Sequence, residues 1–164
     1  MKKVAWCGLL VALALSLSVA ESWFPLALIV PVPGIKLGLA NVVIAVALYT
    51  MSVRETAAIM VGKVVLTAVF SASVTGFLFS LLGGVCSVFT MSLLKSSPKF
   101  SVLGVSAAGA AAHNAGQIAA AAFVLKSGAV VSYLPVLLFA SIPVGLITGS
   151  AAHLVLEKIA KKFE

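Results

Sequence analysis

The chain has 164 residues, of which 62% are hydrophobic and only 9% charged, with a formal net charge of +7. A soluble domain usually carries about 25% charged residues, so composition excludes an ordinary soluble globule and makes lipid the solvent for much of the surface. The basic residues sit singly between apolar stretches and at the two ends, which is how membrane topology signals are distributed and excludes a nucleic-acid-binding patch.

Six apolar segments predict an all-α integral membrane protein, with six transmembrane helices in a single domain over residues 1–164. The first runs from Val4 to Ala20, after Lys2 and Lys3. It carries Gly8, Ala12, Ser16 and Ala20 at a spacing of four, a ridge of small residues that lets helices approach closely in lipid. Spacing alone favours packing inside the bundle; the other reading is a docking face for a partner protein. Ser18-Val19-Ala20 before Glu21 also fits a cleavable signal peptide, which would leave five spans.

The connection from Glu21 to Gly34 holds three prolines together with Trp23 and Phe24, which are interfacial aromatics or parts of a lid. The second segment runs from Ile35 to Met51. The first N–H groups of a helix have no intrahelical partners, so its start is electropositive, and Lys36 adds a full charge there. Helix starts of this kind at membrane depth bind anionic groups in transporters, which makes Lys36 and Asn41 candidate ligand contacts. In the plainer reading Lys36 anchors a helix end at the headgroups, and Glu21 pairs with it across the loop.

Ser52-Val53-Arg54-Glu55 is a short polar turn before the third segment, Glu55 to Phe79. Lys63, Thr67, Ser71 and Thr75 form a polar stripe along it, again four apart. Lys63 lies nine residues past Arg54, roughly 13 Å at helical rise and so near the bilayer centre. A charge there costs roughly 2.5–3.5 kcal/mol, which favours a cavity or an anionic partner over snorkelling to the interface. The fourth segment runs from Leu81 to Leu94, and Gly83-Gly84 marks the break near its start.

Ser96-Ser97-Pro98-Lys99 is a loop, and the fifth segment follows from Val102 to Leu125. After a run of small residues it carries His113, Asn114 and Gln117, which three- and four-residue spacing directs toward one region. They are ligand contacts or interhelical hydrogen bonds, the latter worth roughly 0.6 kcal/mol each. The sixth segment runs from Val130 to Leu156 and contains Pro135 and Pro143, so a kink or local unwinding is expected.

Six spans put both termini on one side. That side collects Lys2, Lys3, Arg54, Lys95, Lys99, Lys158, Lys161 and Lys162, against Lys36 and Lys126 on the other. The balance places both termini in the cytoplasm of a cell-membrane protein, with the Glu21–Lys36 connection facing outward.

Cys7 and Cys86 stand in apolar stretches and read as inert buried thiols. His153 is the only other histidine and no carboxylate stands near His113 in sequence, so no metal site is expected. The acids are Glu21, Glu55, Glu157 and Glu164, with no aspartate at all. Paired carboxylates for metal-assisted phosphoryl or prenyl chemistry are missing, as are a Walker loop and a nucleophile elbow. No catalytic residue and no cofactor are expected.

Three runs together resemble one family: Pro33-Gly34-Ile35-Lys36-Leu37-Gly38-Leu39-Ala40-Asn41, Gly109-Ala110-Ala111-Ala112-His113-Asn114-Ala115-Gly116-Gln117, and Tyr133-Leu134-Pro135-Val136-Leu137. It is the small membrane family labelled heptaprenyl diphosphate synthase component I, also called the Gx transporter family. That family is similar to the substrate-binding S components of energy-coupling factor (ECF) transporters. The resemblance implies a vitamin- or flavin-like, or isoprenoid-related, ligand captured near the outer face. It also implies docking through Gly8, Ala12, Ser16 and Ala20 onto a coupling subunit driven by partner ATPases, with the Glu21–Gly34 loop as a gate. Lys63 stands where the family usually carries arginine, which keeps the charge and loses bidentate geometry. The family label implies a second reading, a non-catalytic membrane accessory to a soluble prenyl synthase subunit or to a quinone or redox pathway. Lack of aspartate excludes the chain as the synthase catalyst.

Overall fold

The structure, a computed structural model, describes residues 2–23 and 38–163. Among these residues six α-helices and one short 3-10 stretch form the fold, and no strand occurs. The helices are α1 (Lys2–Ser22), α2 (Leu39–Thr50), α3 (Val53–Ser71), α4 (Val74–Lys95), α5 (Val102–Leu125) and α6 (Leu134–Phe163), with the 3-10 stretch over Gly128–Tyr133.

Serine starts three of them. Ser52 Oγ accepts from the Glu55 N–H at 3.3 Å while the Glu55 carboxylate accepts from the Ser52 N–H at 2.9 Å, a capping box that opens α3. Ser73 accepts from the Gly76 N–H at 3.0 Å and Ser101 from the Gly104 N–H at 3.2 Å, opening α4 and α5.

The Ser73 cap moves the break between the third and fourth segments. The expected helix over 55–79 ends at Ser71, Ala72 turns into the left-handed region at φ 48°, and Ser73 starts the next helix. Thr75 therefore leaves the polar stripe and joins the first turn of α4. Gly83 and Gly84, expected to mark the break, lie buried inside α4. They are contact points: a Cβ on Gly83 would meet His113 and Gln117, and one on Gly84 would meet Met60.

The second helix also starts later than Ile35. Gly38 has φ 78°, a conformation that glycine adopts without steric cost, and α2 begins one residue after it. Ile35 and Lys36 lie outside the described residues. The unwinding expected in the sixth segment falls in the 3-10 stretch, while α6 runs unbroken through Pro143. Pro135 sits in the first turn of α6, where a missing N–H costs nothing.

α2 is apolar all round and sits at the centre: Ala40 and every residue from Val43 to Leu48 are buried. It packs against α1, α3, α4 and α6. The main core joins Leu10 and Ala14 of α1, Val43, Ile44, Ala47 and Leu48 of α2, Ile59, Met60 and Val64 of α3, and Val88, Met91 and Val105. α5 lies between α4 and α6 at close range. A Cβ on Gly116 would fall 2.8 Å from the Leu82 carbonyl, and one on Gly149 2.9 Å from Leu103 Cα. Small residues at such crossings let backbones approach in lipid, and a 3.0 Å bond between Ser106 Oγ and Thr148 Oγ1 sits in the α5–α6 seam.

Three segments, Lys3–Glu21, Val74–Lys95 and Gly128–Lys161, are long and apolar enough to cross a membrane. Large apolar side chains such as Phe70, Phe89, Phe123 and Phe139 point outward, which is stable against lipid. This is a helical membrane protein.

The inner face of α1 is Leu10, Ala14, Ser18 and Glu21. Gly8, Ala12 and Ser16 are exposed and Ala20 is half-buried. The small-residue ridge is thus not the internal packing face that spacing favours. Cys7 and Cys86 are free and only half-buried rather than fully enclosed. His153 lies on the outer side of α6, 3.4 Å from Glu157 one turn on.

Candidate functional site

Five helices send polar groups to one small cavity. Its wall comprises Glu21 from α1, Gly38 and Asn41 at the start of α2, Lys63 from α3, His113, Asn114 and Gln117 from α5, and Ser141 from α6, with Ala40, Ala110, Ala140 and Val144 between them. Five of the six residues expected to contact a ligand therefore share one cavity: Asn41, Lys63, His113, Asn114 and Gln117. The sixth, Lys36, lies outside the described residues.

Local structure explains each placement. His113, Asn114 and Gln117 occupy adjacent positions one turn apart on α5, and Gly83 on α4 leaves room for the His113 ring and the Gln117 stem. Asn114 Nδ2 donates to the Leu137 carbonyl of α6 at 3.1 Å, which holds its amide at the α5–α6 seam. Ser141, 1% exposed, donates to the Leu138 carbonyl at 2.6 Å and keeps lone pairs for the cavity. Asn41 lies in the first turn of α2, and its amide folds over Gly38.

The start of α2 is already served by a carboxyl group. The Glu21 side chain, 4% exposed, accepts the Gly38 N–H. A carboxylate at a helix start satisfies an orphan donor and the positive end of the dipole together. This contact ties the end of α1 to the beginning of α2; the anion contact expected at Lys36 lies outside the described residues.

The polar stripe of the third segment divides. Lys63 lines this cavity, whereas Thr67 and Ser71 face a different one between α1, α3 and α4. Thr67 donates to the Lys63 carbonyl at 2.8 Å.

Hydrogen-bonding capacity is left over at the cavity. The Gln117 side chain is only 9% exposed, and neither its amide nor that of Asn41 bonds to any described residue. Both amides therefore keep donors and acceptors open to the cavity, available to a polar guest. The cavity holds about 40 Å³, room for a few water molecules. A drug-sized ligand needs roughly 300–1,000 Å³, so occupancy by one requires the helices around it to part.

Two wall residues escaped sequence reasoning. Glu21 was expected to serve the outer loop; its signal was being the only acid among the first 50 residues, at the end of an apolar helix. Ser141 was unmarked, although a serine two residues before Pro143 in an apolar run is a visible irregularity. Among the described residues no group of three His, Cys, Asp or Glu side chains is placed to hold a metal ion.

The family model for heptaprenyl diphosphate synthase component I matches residues 10–155. The chain belongs to that family. No curated protein and no solved structure matches it.

Proposed function

We propose that this member of the heptaprenyl diphosphate synthase component I family is the ligand-binding membrane component of a small-molecule transport system. The observation that carries the reading is the pair of unmet amides, Gln117 and Asn41, beside Lys63, His113 and Asn114 on one cavity. Structural glue would spend its hydrogen bonds on neighbouring helices; here only Asn114 is seen to do so with its side-chain amide.

In this reading all six helices traverse the cell membrane and both termini are cytoplasmic, which puts the end of α1 and the start of α2 at the outer side. The amides and His113 meet a ligand's polar atoms, Lys63 and Lys36 meet an anionic group, and the Glu21–Gly38 contact opens to admit it. The chain carries no nucleotide-binding motif, so ATP is hydrolysed by partner subunits. The likeness of the family to ECF substrate-binding components supports a coupling subunit that docks on Gly8, Ala12, Ser16 and Ala20. Vitamin- and flavin-like molecules, quinone precursors and prenyl phosphates all fit an apolar bundle with a few polar contacts.

The family name supports a second reading, a non-catalytic membrane subunit of a polyprenyl diphosphate synthase. Native mass spectrometry of the protein released gently from its own membranes separates the two. A stoichiometric small molecule, lost on Gln117→Ala, supports the binding component. An empty bundle that carries a soluble prenyl synthase subunit overturns it and establishes the accessory.

A further inference from the structure

A second and larger cavity, of about 290 Å³, lies on the other side of α3, between α1, α3 and α4. α1 packs on α2 and α3 but has no extensive contact with α4, which leaves this space between them. Among the described residues its polar side chains are four hydroxyls, Ser18, Thr67, Ser71 and Ser80, and none is charged. Its remaining walls include Val64 and Phe70, and Phe70 is 73% exposed at the lipid-facing edge.

The hydroxyls are not equivalent. Thr67 and Ser71 donate to their own helix, to the Lys63 carbonyl at 2.8 Å and the Ala68 carbonyl at 3.5 Å, and offer the cavity only lone pairs. Ser18 is 5% exposed, and among the described residues neither its hydroxyl nor that of Ser80 has a partner. Two free donors and four acceptors therefore face an otherwise apolar space. Water alone is a poor filler: each molecule needs two to four polar partners, so these groups hold one or two and leave the apolar walls facing a void. No described wall residue offers a charged guest a counter-ion.

We propose that this cavity binds an uncharged amphiphile, an apolar chain with an alcohol or carbonyl oxygen. The oxygen bonds to Ser18 and Ser80, and the chain runs past Phe70 toward the lipid. A bilayer lipid and a free metabolite share this chemistry. The proposal does not depend on the reading of the first cavity.

The probe is 1-dodecanol bearing a diazirine, photolysed with the purified full chain in detergent and mapped by peptide mass spectrometry. Saturable labelling of Val19, Val64 or Phe70, competed by plain 1-dodecanol, is expected. Ser80→Leu fills the space and abolishes the saturable labelling; Ser18→Ala removes one bond and weakens it about threefold. The alanine variant keeps the test valid if the leucine one fails to assemble. Repetition in phosphatidylcholine nanodiscs distinguishes the sources: labelling lost there identifies bilayer lipid as the occupant, and labelling retained identifies a free amphiphile. Unsaturable labelling spread over the exposed helix faces, or labelling unchanged in both variants, overturns the proposal.

Discussion

Gly83 on α4 and His113 on α5 meet with no space for a side chain between them: a Cβ on Gly83 would lie 2.9 Å from both His113 Cε1 and the His113 carbonyl oxygen. The same Cβ would lie 2.9 Å from Gln117 Cγ. Two wall residues of the first cavity are therefore positioned by the absence of a side chain on a helix that contributes none of its own residues to that wall. Because backbone is among the blocked atoms, rotamer changes cannot relieve the contact. Gly83→Ala is expected to destabilise the protein by about 1–3 kcal/mol and to shift His113 and Gln117. Thermal unfolding in detergent checks this, and an unchanged midpoint would show that the crossing has slack.

Gly8 is the opposite case. Among the described residues nothing lies within 4 Å of where its Cβ would stand. Gly8→Ala should leave the fold intact and stabilise α1 by about 0.5–1 kcal/mol through helix propensity. Gly8→Leu should fold equally well yet lose a docked partner, if the ridge is where one binds. Co-purification of parent and variant from the same membranes measures this; equal recovery of partners removes the ridge from docking.

Lys95 ties the end of α4 to the end of α2. Its Nζ donates to the Leu48 carbonyl at 2.6 Å and lies 5.2 Å from the Tyr49 ring centroid. The last carbonyls of a helix lack intrahelical donors and carry the negative end of the dipole, so a lysine from a neighbouring helix completes the cap. Lys95 is exposed, and solvent discounts the bond, so Lys95→Met should cost about 1 kcal/mol. The loss should appear as faster amide exchange in the last turn of α2, ahead of global unfolding.

Asn114 and Gln117 are neighbours on one cavity with different duties. Asn114→Ala breaks the 3.1 Å bond to the Leu137 carbonyl and should lower stability by about 0.6 kcal/mol, the average for such bonds in membranes. Gln117→Ala removes an amide with no described partner and should leave stability unchanged or slightly raised. If the cavity binds a ligand, both variants weaken binding. Melting curves with and without bound small molecule separate the two effects.

The candidate wall was legible on α5 because His113, Asn114 and Gln117 fall within five residues on a helix whose period is fixed. Asn41 and Lys63 were legible because polar groups in apolar segments are costly and must be accommodated. Ser141 was not, because a serine can bond to its own helix and looks harmless in sequence. The partner of Glu21 was not legible either: the Gly38 N–H lies seventeen residues away in sequence, and no local rule joins them.

Long unbroken apolar segments with almost no charge were enough to predict helices suited to lipid, because a bilayer leaves no backbone group unpaired and such runs lack the alternation of barrel strands. The polar turns at Ser52–Glu55 and Ser96–Lys99 placed the helix ends beside them, whereas the Ser73 cap, a contact between residues three apart, went unread. Which faces meet was decided only by the tertiary structure. Gly83-Gly84 reads as a break in sequence and acts as a helix crossing in the fold, and the Gly8 ridge reads as a crossing and faces outward. A glycine looks the same in a turn, at a crossing and on an open surface. Only the neighbour brought there from distant sequence tells the three apart.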